Sequence, residues 1–318
     1  MSSLIEQAAQ RLEQLRQAGV MVPGMPTMPT MPTMPAALVP MPPPTAPMER
    51  EVADAVPPGP KTATLQSQRI ELDLEALAAA NVVTPNAQRS LVADQFRVVK
   101  RPLISTAMGK GEKTPAHANL IMVTSAVAGE GKSFTSLNLA MSIAAELDNT
   151  VMLVDADVAR PSLPRMLGVP EGPGLLDLLD GSVEMASVLL KTNIDKLTLL
   201  RSGTPHARAT EMLASDAMRR LLDDMAKRYP DRIIIFDSPP LLLTTESRAL
   251  AMNMGQIVVV VQAGKTSQSE VRRALATIEN CPLKLLLLNQ ARADAHGEVG
   301  FGYGYGYGYG YGREKPQA

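Results

Sequence analysis

The feature that most restricts the fold of this chain is a glycine-rich turn between an apolar run and a helical stretch. The run "LIMVTSA" leads into "VAGEGKS", and "FTSLNLA" follows. The turn fits the pattern G-x-x-x-x-G-K-[ST], with Ala126 in place of the first glycine and Gly131, Lys132 and Ser133 at its end. Amides of such a loop and of the helix start point at a phosphate. The order strand, loop, helix therefore predicts an α/β domain with a phosphate-binding loop (P-loop).

Short apolar runs recur along the chain, with helical stretches between them. They are "LIMVTSA", "TVMLVDAD", "KLTLLRSG", "RIIIFDSPP", "QIVVVVQAG" and "LKLLLLNQ". Near-continuous β-branched or leucine runs are typical of strands that are buried on both faces. Helices are expected between them, for example over 133–147, 209–228 and 267–280. The alternation predicts a mostly parallel sheet with helices on both faces and right-handed connections.

Two further helices are expected before the first of these runs. The stretch "IELDLEALAAANVV" has a helical composition, and "LVADQFRVVKRPLIS" is a second helical stretch. Because proline lacks the backbone N–H and clashes with the preceding turn, the second helix is expected to stop near Pro102.

The two ends of the chain differ in composition from this α/β pattern. Residues 1–20 are expected to form a short amphipathic helix. Residues 21–66 contain "MPTMPTMPTMP" and further prolines, which favour an extended polyproline II linker. The P-loop domain is then expected over 67–290, and residues 291–318 form a glycine–tyrosine tail.

Three aspartates follow apolar runs at points where strands are expected to end. Asp155 and Asp157 come after "VMLV", and Asp237 ends "RIIIFD". Ligands of open parallel sheets bind at the carboxyl ends of the strands, so these carboxylates are expected to converge on the P-loop. Mg²⁺ bound with a nucleotide would neutralise them, with Ser133 as a further ligand and Lys132 across the terminal phosphates. A second acid also suits transfer to a hydroxyl, since a tyrosine O–H needs a base within reach.

The composition excludes several classes of protein. The net charge is −1 without a long basic run, so nothing indicates a nucleic-acid partner. The single cysteine, Cys281, excludes an internal disulfide and a CxxC metal site, and it fits a reducing cytosol. No run of 18 apolar residues exists, and the start lacks the apolar core of a signal peptide. A cytoplasmic location is expected.

The tail holds nearly all of the tyrosine of the chain. Five of the six tyrosines alternate there with glycine: Tyr303, Tyr305, Tyr307, Tyr309 and Tyr311. One interpretation is a flexible, weakly adhesive low-complexity tail. Another is that the hydroxyls are substrates held on a tether. A strand is also possible, since period two would put every ring on one face, although glycine weakens strands.

The motifs together resemble those of a known family. "SAVAGEGKS", "LVDADVARPSL" and "IIIFDSPP" resemble the Walker A, A′ and B motifs of the bacterial tyrosine kinases (BY-kinases), P-loop enzymes related to the MinD/ParA and Mrp ATPases. The signature lysine of ParA-type loops would fall at Val127, and the cysteine pairs of Mrp-type iron–sulfur carriers are absent. Both differences favour the kinase branch.

The resemblance implies a set of site residues and two cofactors, ATP and Mg²⁺. The implied catalytic residues are Lys132, Asp155 and Asp157, with Asp155 as general base or metal ligand. The implied metal ligands are Ser133, Asp155 and Asp237. The implied nucleotide contacts are Ala128, Gly129, Glu130, Gly131, Lys132, Ser133, Phe134, Arg160 and Asn289. The implied phosphorylation sites are the five tail tyrosines. "DQFRVVK" resembles the family's oligomerisation motif, with Asp94, Arg97 and Lys100 in its three positions.

The resemblance also implies a biological setting. Its nearest type is the stand-alone autokinase of exosortase-associated exopolysaccharide clusters, which controls polysaccharide chain length, polymerisation and export. The implied partners are a membrane chain-length determinant that activates the kinase and recruits it to the inner face of the membrane, further copies in a ring, and a cognate tyrosine phosphatase. Two alternatives remain: a ParA/MinD-like ATPase switch with an adhesive tail, and an inactive scaffold.

Overall fold

The described part of the chain is built around one sheet of eight strands. The computed structural model of the protein describes residues 68–85, 90–110, 114–229 and 231–291. The expected amphipathic helix, the Met-Pro-Thr linker and the tyrosine tail lie outside the described residues.

The strand order confirms the predicted mostly parallel sheet. The strands are β1 Gln68–Arg69, β2 Leu120–Ser125, β3 Thr150–Asp155, β4 Leu190–Lys191, β5 Leu197–Leu200, β6 Arg232–Asp237, β7 Gln256–Gln262 and β8 Lys284–Asn289. They lie in the order β1-β4-β5-β3-β6-β2-β7-β8, and only the β4–β5 pair is antiparallel. All six apolar runs are strands. The two-residue strands β1 and β4 were not expected, because neither stands out as an apolar run.

Helices cover both faces of the sheet, as predicted. They are α1 Leu74–Ala79, α2 Leu91–Ala107, α3 Lys132–Ala144, α4 Leu163–Leu167, α5 Leu175–Asp180, α6 Met185–Val188, α7 Ala209–Leu213, α8 Asp216–Arg228, α9 Glu246–Ala251 and α10 Gln268–Ala276. Along β3, Val151 and Leu153 pack on the face of α2 and α3, and Met152 and Val154 on the face of α8 and α9. No helix within the described ranges is long and apolar enough to cross a membrane.

The edge strand β8 departs from the prediction that every run is buried on both faces. Leu285 and Leu287 pack on the core, but the exposed fractions of Leu286 and Leu288 are 59% and 55%. A run of four leucines reads as a buried strand, yet β8 lies at the end of the sheet and pairs only with β7 there. Position in the sheet, which the local sequence does not encode, decides its exposure.

The helix α2 corrects the prediction of a stop at Pro102. It runs from Leu91 to Ala107, with Ser90 as its N-cap. Phe96 and Leu103, one on each side of the proline, are both buried against the sheet. Their burial holds both segments of the helix on the core, which offsets the hydrogen bond that proline removes.

Other predicted helices are shorter or divided. The first contains only α1, because Asp73 caps its start through bonds to the amides of residues 75 and 76, and Asn81 takes a left-handed φ of 59° after its end. The stretch 209–228 is two helices, α7 and α8. Ser215 separates them and caps α8 by accepting a hydrogen bond from the amide of Met218.

Lys100 is a buried residue of α2 with partners inside the fold. Its side chain is only 6% exposed. Its Nζ donates to the carbonyl of Ser142 at 2.6 Å and lies 2.5 Å from Glu146 Oε1. Lys100 therefore joins α2 to the end of α3, because a buried ammonium needs partners within the fold. Its part in oligomerisation stays a prediction.

Candidate active site

The P-loop lies between β2 and α3, with the backbone shape that its glycines permit. Gly129 and Gly131 have φ values of 87° and 91°, in the left-handed region. Gly131 is the N-cap of α3 and supplies no side-chain bond to the first turn. A Cβ at Gly131 would also lie 2.2 Å from Asn289 Nδ2. The amides at the start of α3 are thus left for an anion, as the sequence predicts.

Lys132 reaches from the first turn of α3 to the aspartates that follow β3. Its Nζ lies 2.7 Å from Asp157 Oδ2 and donates to Ser133 Oγ at 3.2 Å. Burial by itself lowers the pKa of Lys132. The neighbouring carboxylates, Asp237 first among them, outweigh burial and raise this pKa above its usual value. The lysine is therefore firmly charged, and an acid holds it at the mouth of the loop.

Asp155 is the last residue of β3, and almost none of it is exposed. Its Oδ1 accepts a hydrogen bond from the amide of Asp157 at 3.2 Å, and its Oδ2 accepts one from the amide of Leu163 at 3.2 Å. Burial is the main cause that raises the pKa of Asp155 to about 7, and the charge of Asp237 raises it further. A carboxyl group with such a pKa can exchange a proton near neutral pH.

Asp237 ends the neighbouring strand β6, in register with Asp155 of β3. Its Oδ1 accepts a hydrogen bond from Ser136 Oγ at 3.1 Å. Its Oδ2 is buried and has no hydrogen-bond partner among the described residues. Burial raises the pKa of Asp237, while the charge of Lys132 acts in the opposite direction. Ser136 was not predicted as a site residue, because it lies one helical turn after Lys132 and outside the motif.

These residues fit Mg²⁺ together with the phosphates of a nucleotide. The Oδ2 of Asp237 is a buried oxygen without a hydrogen-bond partner among the described residues. Ser133 offers a hydroxyl in the first turn of α3. No group of three or more His, Cys, Asp or Glu side chains in the described ranges is arranged to hold a metal by itself. That agrees with Mg²⁺, which protein sites usually hold through one or two carboxylates, substrate phosphates and water.

Glu130 has a place that the sequence did not predict. The residue is buried, with 1% of its surface exposed. Its Oε2 accepts from the amide of Val127 at 2.7 Å, and its Oε1 accepts from the amide of Gln262 at 3.3 Å and from Thr266 Oγ1. The carboxylate thus fastens the P-loop to the end of β7. No local signal could have found this contact, since Thr266 lies 136 residues further along the chain.

Asn289 also holds the P-loop, from the end of β8. Its Nδ2 donates to the carbonyl of Glu130 at 2.9 Å. The predicted contact with adenine stays a prediction. Ala128 and Arg160 are exposed beside the loop and after β3, and Phe134 is partly buried against the core on the α3 face. Asn289 thus contacts the loop, and the nucleotide contacts of Arg160 and Phe134 stay predictions.

The remaining predicted residues lie elsewhere. Asp94 and Arg97 form an exposed ion pair one turn apart on α2. Their part in oligomerisation stays a prediction. The tyrosines Tyr303 to Tyr311 lie outside the described residues.

Comparison with known proteins supports the interpretation of the motifs. The sequence model of the family described as "ParA: NUBPL iron-transfer P-loop NTPase" matches residues 116–289, more than half of the chain. The tyrosine-protein kinase YwqD of Bacillus subtilis is 29% identical over 70% of this chain and 90% of its own. The tyrosine-protein kinase ptk of Acinetobacter johnsonii is 33% identical over 57% of this chain and 25% of its own. The chain thus spans nearly all of one relative and a quarter of the other.

The solved structures agree with the fold. The kinase domain of the Escherichia coli tyrosine kinase ETK has a TM-score of 0.53 and 22% identity, and the match covers 74% of this chain and 98% of that domain. The iron transfer in the family description finds no counterpart in the described site. The one cysteine, Cys281, is buried, and its thiol donates to the carbonyl of Ala251. The chain therefore belongs to the ParA family of P-loop NTPases, and its named relatives confirm the predicted resemblance to the bacterial tyrosine kinases.

Proposed function

We propose that this protein is an ATP-dependent protein-tyrosine kinase that modifies the tyrosines of its own C-terminal tail. The observation that carries the proposal is the cluster of three buried aspartates and one lysine at the P-loop. Mg²⁺ usually takes one or two carboxylates, so three aspartates leave at least one to act as a base toward a hydroxyl substrate. The relatives named as tyrosine-protein kinases support the same function.

Each site residue has a role in this proposal. Amides at the start of α3 and Lys132 would bind the terminal phosphates, and Ser133 and Asp237 would hold Mg²⁺, whose charge would offset that of the phosphates. The tyrosine oxygen attacks the terminal phosphorus as the bond to the bridging oxygen breaks, and the phenol proton passes to Asp155. Asp157, now paired with Lys132, positions that lysine.

The biological setting is also part of the proposal. We infer a role in exopolysaccharide production, in which the phosphorylation state of the tail regulates chain length, polymerisation and export. The partners would be a membrane chain-length determinant as activator and a phosphatase that resets the tail. Each phosphate adds about −1.5 to −2 charges at neutral pH. Five of them would repel the tail from a pocket that holds three aspartates.

The test is the mass of the intact protein after incubation with ATP and Mg²⁺. We expect species heavier by whole phosphate groups, up to five on the tail, and none in a chain that ends at Gly300. Phosphate release without any gain in mass would favour the rival ATPase switch. Neither release nor gain, with the cognate activator present, would favour the scaffold.

A mixing experiment tests whether the tail is modified by a neighbouring copy. A chain ending at Gly300 supplies an active site, and full-length Lys132→Met supplies the tyrosines. We expect the tyrosines of the Lys132→Met chain to gain phosphate. If they stay unmodified while the wild type modifies itself at a rate independent of concentration, transfer occurs within one chain.

The proposed ring assembly can be tested at Arg97. Arg97→Ala removes an exposed cation of α2, and we expect smaller assemblies by light scattering, more so at high salt. Arg219→Ala is the matched control, because Arg219 forms an equally spaced, exposed ion pair with Asp216 on α8. An unchanged assembly size in Arg97→Ala would contradict the proposal that α2 forms an interface between copies.

A further inference from the structure

The free edge of the sheet carries a row of exposed leucines. Leu286 and Leu288 point from β8 toward the side of α10, where more than half of each side chain is exposed. With Val271 and Leu275 of α10 they line an open groove of about 550 Å³. The groove ends at the turn after β7, beside the residues that hold Glu130.

Among the described residues, nothing gives this edge the usual protection of a free strand. Exposed edges are commonly blunted by proline, a bulge or an outward charge. β8 contains no proline, and its one lysine, Lys284, turns back to donate to the carbonyls of Glu279 and Cys281. Within the described ranges, β8 pairs with β7 alone. A free, apolar edge of this kind is a template for a further strand.

The chain itself supplies a matching segment in the tail that follows β8. Gln290 takes a left-handed φ of 58°, and its Oε1 accepts a hydrogen bond from Gln262 Nε2 at 2.6 Å. The chain therefore leaves the sheet beside the groove. We propose that part of residues 302–312 returns antiparallel along the free edge of β8, with neighbouring tyrosine rings beside Leu286 and Leu288. Alternation with glycine puts every ring on that one face of a strand.

The length of the chain permits this return. Residues 292–301 lie between the last described residue and the proposed strand, and ten residues span at most about 35 Å. The six residues of β8 extend over roughly 20 Å. The other end of the described chain starts in β1, seven strand spacings or about 33 Å away across the sheet. Proximity thus favours the tail over the N-terminal segment as the occupant.

Docking on β8 would hold the hydroxyls away from the P-loop until the tail is released. The docking does not depend on the tail being a kinase substrate. If the proposed kinase function holds, phosphates would keep the tail off this apolar groove, because a charged group cannot be buried there without a partner.

The tyrosine emission of the protein can test the docking. The chain has no tryptophan, and Tyr229 is the only tyrosine outside the tail. In a Tyr229→Phe background the emission therefore comes from the tail alone. We expect acrylamide to quench this emission less than that of a free peptide of residues 300–318. The pair Leu286→Asn and Leu288→Asn should abolish the protection, and Leu147→Asn, an 87% exposed leucine after α3, should keep it.

The measurement needs no ATP, so a failure of the kinase proposal does not affect it. Because both leucines are exposed, the pair of substitutions should leave the melting temperature nearly unchanged, which serves as the folding control. Equal quenching of wild type and free peptide would overturn the proposal. Protection that disappears on dilution would assign the groove to a second copy and would also overturn it.

Discussion

The two sides of the P-loop are built on opposite principles. On one side, the acidic side, Lys132 faces Asp155, Asp157 and Asp237. On the other, the clip side, Glu130 joins the loop to β7 and β8. Both sides bury carboxylates, yet only the clip side satisfies all of its acceptors with donors.

The electrostatics of the acidic side explain the difference. Three carboxylates share one cation there, the pKa values of Asp155 and Asp237 are raised, and one oxygen of Asp237 has no hydrogen-bond partner within the described ranges. Such a site is unfavourable when empty and gains stability from a bound cation. The acidic side is therefore the part suited to bind a ligand, and the clip side is the part that fixes the position of the loop.

The largest effect is expected from removing the cation of the acidic side. Lys132→Met should lower phosphotransfer by at least roughly 100-fold, because catalysis at such a site is mainly positioning and charge stabilisation. The measurement is the rate at which phosphate mass is gained with ATP and Mg²⁺. Lys227→Met, an exposed lysine of α8, is the control and should keep the wild-type rate. A wild-type rate in Lys132→Met would show that Lys132 of this loop does not take part in phosphotransfer.

The next effect concerns the stability of the ligand-free protein. The pKa of Asp155 is raised to about 7 in the fold, against an ordinary value near 4 in the unfolded chain. Between these values the unfolded state binds fewer protons than the fold, so the free energy of unfolding falls as pH rises. The contribution is fully present below pH 4 and lost above pH 7. Three pKa units correspond to about 4 kcal/mol at most.

Asp155→Asn removes this titration. We expect its unfolding free energy to fall less between pH 5 and pH 8 than that of the wild type, in denaturant titrations without nucleotide. Asp195→Asn, an exposed acid between β4 and β5, is the control and should follow the wild type. If the unfolding free energy of Asp155→Asn falls as much between pH 5 and pH 8 as that of the wild type, ionisation of Asp155 does not destabilise the acidic side.

The acidic side could be predicted from the sequence, and the clip side could not. Lys132 comes after β2, and Asp155 and Asp237 end β3 and β6. Each of these strands is predicted by an apolar run, and parallel strands bring their carboxyl ends together. Glu130 looked like one more loop residue, because its partners Gln262 and Thr266 carry no motif. The contact depends on β7 lying beside β2, and strand order is not written in any local stretch.

The same limit explains the errors in the fold. Pro102 is a strong local signal for a helix end, but the burial of Phe96 and Leu103 overrides it. Lys100 carries no local signal of its partners, and only the packing of α2 on α3 places its ammonium beside Ser142 and Glu146. Local chemistry predicts the type of element well, whereas tertiary packing decides where an element ends and which side chains it exposes.

The smallest effect is expected on the clip side, at Thr266. Thr266→Val keeps the shape of the side chain and removes one hydrogen bond to the buried carboxylate of Glu130, a loss of about 1–1.4 kcal/mol. The loop should then hold phosphate less well, so KM for ATP should rise roughly fivefold to tenfold. The value of kcat should change little, because Thr266 touches no reacting atom. Thr266→Ser restores the hydroxyl and should restore KM. A fall in kcat with KM unchanged would mean that the clip acts on the chemical step, and the contrast between the two sides of the loop would then be wrong.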